Sequence, residues 1–479
     1  MKIFLIFSFF LLPFSFLQAQ SIHELQQKEA ESFKGSDFLK EKILKKDLRD
    51  IPLLKTEKLT KKVFGWNPYW MDTAYKKFDY STLSTVGYFS YEVDTATGSY
   101  STVRFWKTTQ LIPIAHAAGT KVVLTVTNFG NANNQAVLKS PKKRRTMIDS
   151  LVSLVKLRNA DGVNIDFEAI TDQTLRDSLT IFLKDLSVDF HTKIPGSEVS
   201  IALPAVDWSR IFDVLAYEKF LDYALIMGYD YHWSTSPIAG PVAPLKSSSL
   251  WGANSVTKSV ETYLSKGISP QKLLLAVPYY GFEWPTDGKK IRANTTGPGK
   301  SYTYANAEPR AQQFGKLWDD ASQTPYYKVS EFAEGWYDDR ASLALKYDLI
   351  LEKNLGGVGI WALGYDGDKP ELNELLKEKF GSQTNIEDDF KNDGFVKFSA
   401  SPNPFLNSVS IHCNLFKTER ITIQILNMRG QEIAQVFTGE LPVGEHVFKS
   451  ELSNFAAGVY AVRFLKEDSA ETIFITRLP

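Results

Sequence analysis

Two carboxylates stand two residues apart in the segment 161–168, which reads Asp-Gly-Val-Asn-Ile-Asp-Phe-Glu. In a β-strand successive side chains point to opposite faces, so Asn164, Asp166 and Glu168 share one face and large apolar residues share the other. Burying two carboxylates side by side is costly unless they are paired or take part in a reaction. A half-exposed strand with solvated acids is the alternative, but it explains poorly the regular spacing of the large apolar residues. We therefore expect acid–base chemistry at the end of this strand.

The segments around this strand predict the scaffold that positions it. Apolar runs at residues 63–70, 85–93, 121–128, 162–168, 198–206, 223–231, 273–281 and 357–365 alternate with amphipathic helical stretches. Eight strands with helical crossovers predict an α/β fold, a (β/α)8 TIM barrel, whose active sites lie at the C-terminal ends of the strands. An open doubly wound sheet is the rival, but no glycine-rich phosphate loop follows the first strand.

Polar and aromatic residues follow the other predicted strands at the same end of the barrel. They are Trp66, Tyr88, Asn128, Tyr229, Asp230 and Trp361. Any one of these residues, taken alone, is more often a packing residue than a ligand contact. Because the predicted topology gathers all of them on one rim, we expect them to line a binding site together with the acidic strand.

The acidic segment resembles the signature of family 18 glycoside hydrolases, an Asp-Gly pair followed by acids at alternate positions and closing on Glu. Met227-x-Tyr229-Asp230 and Gly359-Ile360-Trp361-Ala362 are similar to two further motifs of that family, in the same order. The resemblance implies that Glu168 is the general acid. It also implies that Asp166 orients the substrate's 2-acetamido group and shares a proton with Glu168.

The same resemblance implies roles for the remaining residues. Tyr229 would hydrogen-bond the acetamido carbonyl, Asp230 would contact the sugar, and Trp361 would form the floor of the subsite that holds the cleaved unit. Asp161 and Gly162 would be structural. The family usually has Asp where this chain has Asn164, and this departure should weaken the proton relay below Asp166. The predicted substrate-binding residues are Asp230, Trp361, Asn164, Tyr88, Asn128 and Trp66.

The spacing of the acids also bears on the mechanism. The Cα atoms of Asp166 and Glu168 should lie about 6.6 Å apart on the same side of the sugar, whereas ordinary glycosidases place carboxylates on both sides of the bond. The resemblance implies that the substrate's own acetamide is the nucleophile, with retention of configuration. Chitin, peptidoglycan and N-glycan cores all remain open as substrates. Asn164 and the segment Val126-Thr127-Asn128-Phe129 favour the peptidoglycan-active branch. A non-catalytic glycan-binding barrel is the alternative function.

Other chemistries have weaker signals. Asp166 and Glu168 could ligate a metal, but only His232 lies near the predicted mouth, so we expect no metal and no cofactor. No Gly-x-Ser-x-Gly elbow for a serine hydrolase is present. The 55 basic and 55 acidic residues balance, which argues against nucleic acid as a partner. Cys413 is the only cysteine, so no intrachain disulfide can form.

The chain divides into five predicted segments. Residues 1–20, with Lys2, an apolar run and Ala19, are typical of a signal peptide. The apolar run is too short for a transmembrane anchor, which needs about 20 residues. Residues 21–62 are a charged helical lead-in or tether, to which we assign no chemistry. The barrel is expected over 63–381, with a short α+β insertion at about 282–336, and is followed by a linker at 382–395.

Residues 396–479 predict a second, all-β domain. Seven short apolar runs separated by turn residues are typical of a small β-sandwich. Ser401-Pro402-Asn403-Pro404-Phe405, Asn427-Met428-Arg429-Gly430 and Gly458-Val459-Tyr460 resemble the C-terminal sorting domain of type IX secretion cargo. The resemblance implies the type IX machinery as a partner and a secreted or cell-surface location. A carbohydrate-binding sandwich is the alternative.

Overall fold

The computed structural model describes residues 21–32, 59–367, 369–381 and 397–478, except 404, 416, 428–430 and 467–469. The predicted signal peptide, the predicted linker and part of the motif at 427–430 lie outside the described residues. The chain forms two units, residues 1–382 and 383–479. Among the helices of the described ranges, none has the length and apolar character needed to cross a membrane.

Eight parallel strands of the first unit close into a barrel, in the order β1-β2-β4-β5-β6-β7-β8-β14 and back to β1. They are β1 (Lys62–Pro68), β2 (Thr85–Val93), β4 (Lys121–Phe129), β5 (Gly162–Glu168), β6 (Glu198–Leu203), β7 (Tyr223–Met227), β8 (Leu273–Pro278) and β14 (Gly357–Trp361). A short strand, β3 (Tyr100–Thr102), extends β2 in antiparallel pairing. The predicted TIM barrel is confirmed.

Ten α-helices belong to this unit in the described part of the chain. They are α1 (Ile22–Ser32), α2 (Leu111–Ala117), α3 (Asn131–Leu138), α4 (Pro141–Arg158), α5 (Arg176–Lys193), α6 (Val214–Tyr217), α7 (Val256–Ser265), α8 (Tyr304–Phe314), α9 (Arg340–Glu352) and α10 (Glu371–Phe380). The sequence gives clear boundaries to α4, because Ser140 caps its first turn and Asn159 ends it in a left-handed conformation.

The start of β5 is held by the two residues that the signature places there. Asp161 accepts hydrogen bonds from the Val122 N–H and from Nε2 of His116, both at 2.7 Å. Gly162 has φ of 145°, and a Cβ added to it would lie 1.9 Å from the Glu198 carbonyl oxygen. Any larger residue at position 162 would therefore push β6 away from β5. These contacts fix the register of the acidic strand.

The apolar face of β5 packs on the helical layer. Val163 and Ile165 are fully buried, and the Phe167 ring stacks on Phe182 of α5 with centroids 5.8 Å apart. Alternation along the strand then turns Asn164, Asp166 and Glu168 into the barrel interior. Packing against α5 thus decides where the carboxylates point.

An insertion separates β8 from the last barrel strand. It contains β9 (Tyr280–Pro285), β10 (Lys300–Thr303), β11 (Leu317–Asp319), β12 (Thr324–Ser330), β13 (Ala333–Trp336) and helix α8. The five strands form one antiparallel sheet in the order β10-β9-β13-β12-β11. The sheet begins two residues before the position that the sequence predicts.

The second unit contains seven strands in two sheets. They are β15 (Lys397–Ser401), β16 (Ser408–Leu415), β17 (Glu419–Leu426), β18 (Glu432–Leu441), β19 (Gly444–Glu451), β20 (Gly458–Leu465) and β21 (Ala470–Arg477). Alternate residues of β16 and β17, such as Val409, Ile411 and Ile423, are buried in a common core. This arrangement agrees with the predicted β-sandwich.

Candidate functional site

The two carboxylates of β5 lie together at the C-terminal end of the barrel. Asp166 is fully buried, the Glu168 side chain is 10% exposed, and one oxygen of each lies within 4.8 Å of the other. Burial raises the pKa of Glu168 above its usual range, and the charge on Asp166 raises it further, against the opposing effects of His23 and Ser21. A carboxyl group in this setting keeps its proton to a higher pH and can donate it.

Asn164 lies below the acidic pair and is paired with neutral groups. Its side-chain oxygen accepts a hydrogen bond from the Trp66 indole N–H at 2.9 Å, and its amide donates to Ser200 Oγ at 2.9 Å. An amide held in this way cannot exchange a proton with Asp166. One oxygen of Asp166, Oδ1, is buried without a hydrogen-bond partner in the described structure.

Aromatic rings form the floor of the site. Trp361, from the end of β14, is fully buried and packs edge-on against Phe89 and Trp66, with centroids 5.0 and 6.0 Å away. Trp70 contributes a fourth ring, 6.3 Å from Trp361. The structure thus brings two predicted residues, Trp66 and Trp361, to the acidic pair.

Tyr229 and Asp230 approach the acidic pair from the end of β7. The Tyr229 pKa is raised well above its usual range, mainly by burial and also by the charge on Asp166. Burial raises the pKa of Asp230 to about 7, although the hydrogen bonds it accepts from the Tyr280 hydroxyl and from the Ile22 N–H oppose that rise. Tyr280 begins the insertion strand β9; it stands at the C-terminal end of the predicted strand 273–281, but it was not among the predicted site residues.

Two predicted substrate-binding residues lie elsewhere. The Tyr88 ring packs on Trp106 with centroids 5.5 Å apart, and its hydroxyl accepts a hydrogen bond from the Phe105 N–H. Asn128 is in register with Phe167, on the outer face, and donates a hydrogen bond to Asn134. The structure does not bring these two residues to the acidic pair, because side chains alternate along a strand and the preceding or following residue faces the barrel interior.

Helix α1 occupies the site, although we assigned its segment no chemistry. The imidazole of His23 is fully buried, with Nδ1 2.8 Å from Asp166 Oδ2 and 3.0 Å from Glu168 Oε1, and Nε2 2.9 Å from the Tyr229 hydroxyl. Ser21 Oγ donates to Glu168 Oε1 at 2.7 Å. No motif or spacing in the sequence links this segment to the acidic strand.

His23, Asp166 and Glu168 are also the one group of metal-ligating side chains found among the described residues. The direct distances of 2.8 and 3.0 Å from Nδ1 to the two carboxylates are those of hydrogen bonds. His232, which the sequence places near the mouth, bonds instead to the Pro241 carbonyl oxygen through Nδ1. The geometry therefore favours hydrogen bonding over metal ligation at this site.

A cavity of about 500 Å³ opens on one side of Glu168. Its lining includes Tyr229, Trp233 and Trp208, and the Trp208 side chain is 78% exposed, which is unusual for so large an apolar group. An exposed indole beside a buried acid offers a flat apolar surface to a ligand that extends away from the acid.

A second cavity of about 470 Å³ adjoins the first, since Asp207, Phe212 and Asn254 line both. Four cationic residues and two acidic residues line it: Arg176, Arg210, Lys258, Lys266, Asp207 and Asp213. Arg176 pairs with Asp213, and Lys266 pairs with Asp207, each at 3.1 Å. The two remaining cations, Arg210 and Lys258, therefore give this cavity an excess of positive charge.

Comparison with known proteins identifies both units. The family model of glycosyl hydrolases family 18 matches residues 51–366, and that of the secretion system C-terminal sorting domain matches residues 399–476. Di-N-acetylchitobiase of Homo sapiens is 28% identical over 345 residues, covering 64% of this chain and 81% of that protein. The cortical fragment-lytic enzyme of Bacillus subtilis (strain 168) is 23% identical over 292 residues, covering 57% of this chain and 63% of that protein.

A solved structure has the same barrel fold. The GH18 chitinase from Cycas revoluta, crystallised in complex with (GlcNAc)3, superposes with a TM-score of 0.60 at 19% identity. The alignment covers 66% of this chain and 99% of that one. Residues 51–366, which the family model matches, contain the eight barrel strands and the acidic pair.

Proposed function

This chain belongs to glycoside hydrolase family 18, and we propose that it is a secreted enzyme that cleaves β-linked N-acetylglucosamine-containing polymers. One observation carries the proposal. Glu168, whose pKa is raised by burial and by Asp166, lies in one pocket with Tyr229 above a floor formed by Trp361. These are the groups that substrate-assisted hydrolysis of an N-acetylated sugar requires.

In the proposed reaction, Glu168 donates its proton to the glycosidic oxygen as the bond from that oxygen to the anomeric carbon breaks. The carbonyl oxygen of the substrate's acetamide attacks the anomeric carbon, and Asp166 and Tyr229 hold this group in line. The oxazolinium intermediate is then opened by water, whose proton returns to Glu168. Two displacements at the anomeric carbon give net retention, and the only co-reactant is water.

Replacing Asp166 by Asn should shift the pH dependence as well as slow the reaction. The Asp166 charge helps to raise the pKa of Glu168, so its removal lowers that pKa and the acid loses its proton at a lower pH. We expect kcat to fall about 10- to 1,000-fold and the alkaline limb of the kcat/KM profile to move to lower pH. A profile that falls in height without moving would contradict the electrostatic role of Asp166.

The cationic cavity bears on the choice of substrate, and it supports peptidoglycan over chitin. Peptidoglycan carries carboxylates on its lactyl and peptide groups, whereas chitin is neutral. In the Arg210→Ala/Lys258→Ala variant we expect kcat/KM for peptidoglycan fragments to fall about tenfold and that for chitin oligomers of equal length to change by less than about twofold. Product masses from chitin oligomers, peptidoglycan and N-glycans, measured in parallel, show which of these substrates is cleaved. An equal loss of kcat/KM on all three in the double variant would contradict the preference for peptidoglycan.

A non-catalytic glycan-binding barrel is the second candidate function. The Trp361 floor and the exposed Trp208 would serve a lectin as well as an enzyme. The raised pKa of Glu168 favours the enzyme, because simple binding of a neutral sugar gives no reason to hold two acids side by side in a buried site.

The C-terminal unit supports export. The chain carries a secretion system sorting domain at residues 399–476, which implies secretion or attachment at the cell surface. We propose that this domain is recognised by the type IX machinery and that the barrel acts outside the cell.

A further inference from the structure

Residues 21–32, here named the N-terminal segment, fill the same space that the proposed reaction needs. His23 contacts Asp166, Glu168 and Tyr229 through one imidazole ring. The same ring packs on Trp361 with centroids 3.7 Å apart and planes inclined by 31°. A sugar ring that lies on Trp361 with its acetamido group between Asp166 and Tyr229 would have to occupy the position of this imidazole.

The charges of His23 and of the acidic pair are complementary where the N-terminal segment lies in the cleft. Burial alone would lower the pKa of His23, but the charges on Asp166 and Glu168, together with the hydrogen bonds to both carboxylates, outweigh burial and raise the pKa to about 10. The imidazole is therefore held as a cation between two acids, an arrangement in which hydrogen bonds are strong. The first turn of α1 adds to this, because the Ile22 N–H donates to Asp230 Oδ2 at 3.2 Å.

Further contacts extend along the segment towards the rim of the barrel. Gln26 Oε1 accepts hydrogen bonds from the Trp361 indole N–H at 2.9 Å and from the Tyr365 hydroxyl at 2.8 Å. At the rim, Glu31 pairs with Arg104 at 2.5 Å. The residues on the inner side, Ile22, His23 and Gln26, are 1%, 0% and 6% exposed, so the segment is packed into the cleft along its length.

We propose that the N-terminal segment is an autoinhibitory element that occupies the glycan-binding cleft of its own chain and leaves it when substrate binds. The inference rests on the proposed function, since it identifies the occupied pocket as the sugar site. An isolated helix of 11 residues is only marginally stable in water, so contacts with the barrel hold the helix in place. Loss of those contacts releases the cleft.

The test compares three full-length variants with the parent chain. His23→Ala removes the contacts to both acids, and Gln26→Ala removes those to Trp361 and Tyr365. Lys28→Ala is the control, because Lys28 lies on the outer side of the segment, 60% exposed, and pairs only with Glu24 in the described contacts. Steady-state kinetics on a tetramer of N-acetylglucosamine and on peptidoglycan fragments give kcat and KM.

A segment that competes with substrate raises the apparent KM and leaves kcat unchanged. We therefore expect His23→Ala to lower KM about tenfold or more, with kcat within about twofold. Gln26→Ala should lower KM less, and Lys28→Ala should match the parent. Equal KM in all four proteins would overturn autoinhibition.

Hydrogen exchange of the Ile22–Ser32 amides separates this inference from the proposed function. Protection in the parent and in Lys28→Ala, lost in His23→Ala, is the expected result whether or not any glycan is cleaved. If that pattern appears and none of the four proteins hydrolyses the substrates, the segment is shown to occupy the cleft and the proposed function fails. If all four proteins hydrolyse alike and the amides are unprotected in the parent, autoinhibition fails and the proposed function stands.

Discussion

Replacing Glu168 by Gln is expected to lower kcat by about 10²- to 10⁴-fold, and in the His23→Ala background the affinity for oligosaccharide should stay within about threefold. Gln has the size of a protonated Glu and can keep a hydrogen bond to the glycosidic oxygen, but it cannot transfer a proton. The pKa of Glu168 is raised by burial and by Asp166, so Glu168 keeps its proton to a higher pH than an ordinary carboxyl group. The substitution therefore removes the reaction step and preserves the shape of the site.

The measurement pairs turnover with calorimetric binding of an N-acetylglucosamine tetramer. Turnover and binding are both measured in the parent background and in the His23→Ala background. In the second background the N-terminal segment does not compete with the oligosaccharide. Glu331→Gln is the matched control, since it is the same chemical change at a carboxylate that is 67% exposed, on the insertion and away from the acidic pair. A Glu168→Gln variant that keeps more than a tenth of the parent kcat would contradict the general-acid role. Binding without turnover in the parent itself would favour the lectin.

The fold could be predicted from the sequence because its signals are local and repeated. Strand β5 alternates apolar and polar residues, and its apolar face meets α5, which presents residues such as Phe182 at helical spacing. Strand ends were less predictable. The runs 198–206 and 223–231 continue past Leu203 and Met227, where the structure ends β6 and β7. Apolar residues such as Val206 and Tyr229 follow these ends, so composition does not mark where strand pairing stops.

The part of the site that lies on a single strand, β5, was predictable from the sequence. The parts contributed by other elements were less so. The sequence placed Asp166 and Glu168 on one face because alternation within β5 is unbroken. Tyr88 and Asn128 lie on the outer face of the barrel. Strands β2 and β4 are buried on both faces, so their composition does not show which residues face inward. Tyr280, near the end of the predicted strand 273–281, shared the aromatic strand-end pattern of the chosen residues and was passed over; its hydroxyl donates a hydrogen bond to Asp230.

Helix α1 was the largest omission. Its Lys and Glu content reads as a solvated segment, and a single histidine in such a segment is unremarkable by sequence. His23 acquires its role only because the chain returns 143 residues later to place Asp166 against it. Contacts of such sequence separation leave no periodicity to detect.

Removing one acetyl group from the substrate should have an effect as large as removing the acid. If the acetamide oxygen is the nucleophile, a unit with a free amine has no carbonyl to attack the anomeric carbon. Asp166 and Glu168 both arise from β5, with oxygens within 4.8 Å, so neither is placed to attack from the opposite side of the sugar. The loss of a positioned intramolecular nucleophile is expected to cost about a thousandfold or more in rate.

The most direct measurement uses two tetramers that differ only in the unit whose anomeric carbon forms the cleaved bond, N-acetylglucosamine in one and glucosamine in the other. The His23→Ala variant is used for both tetramers. Mass spectrometry identifies the products, and NMR gives the anomeric configuration of the first product formed. We expect cleavage of the acetylated tetramer with retention and no measurable cleavage at the deacetylated unit. Equal rates on the two tetramers, or inversion at the acetylated unit, would contradict this expectation.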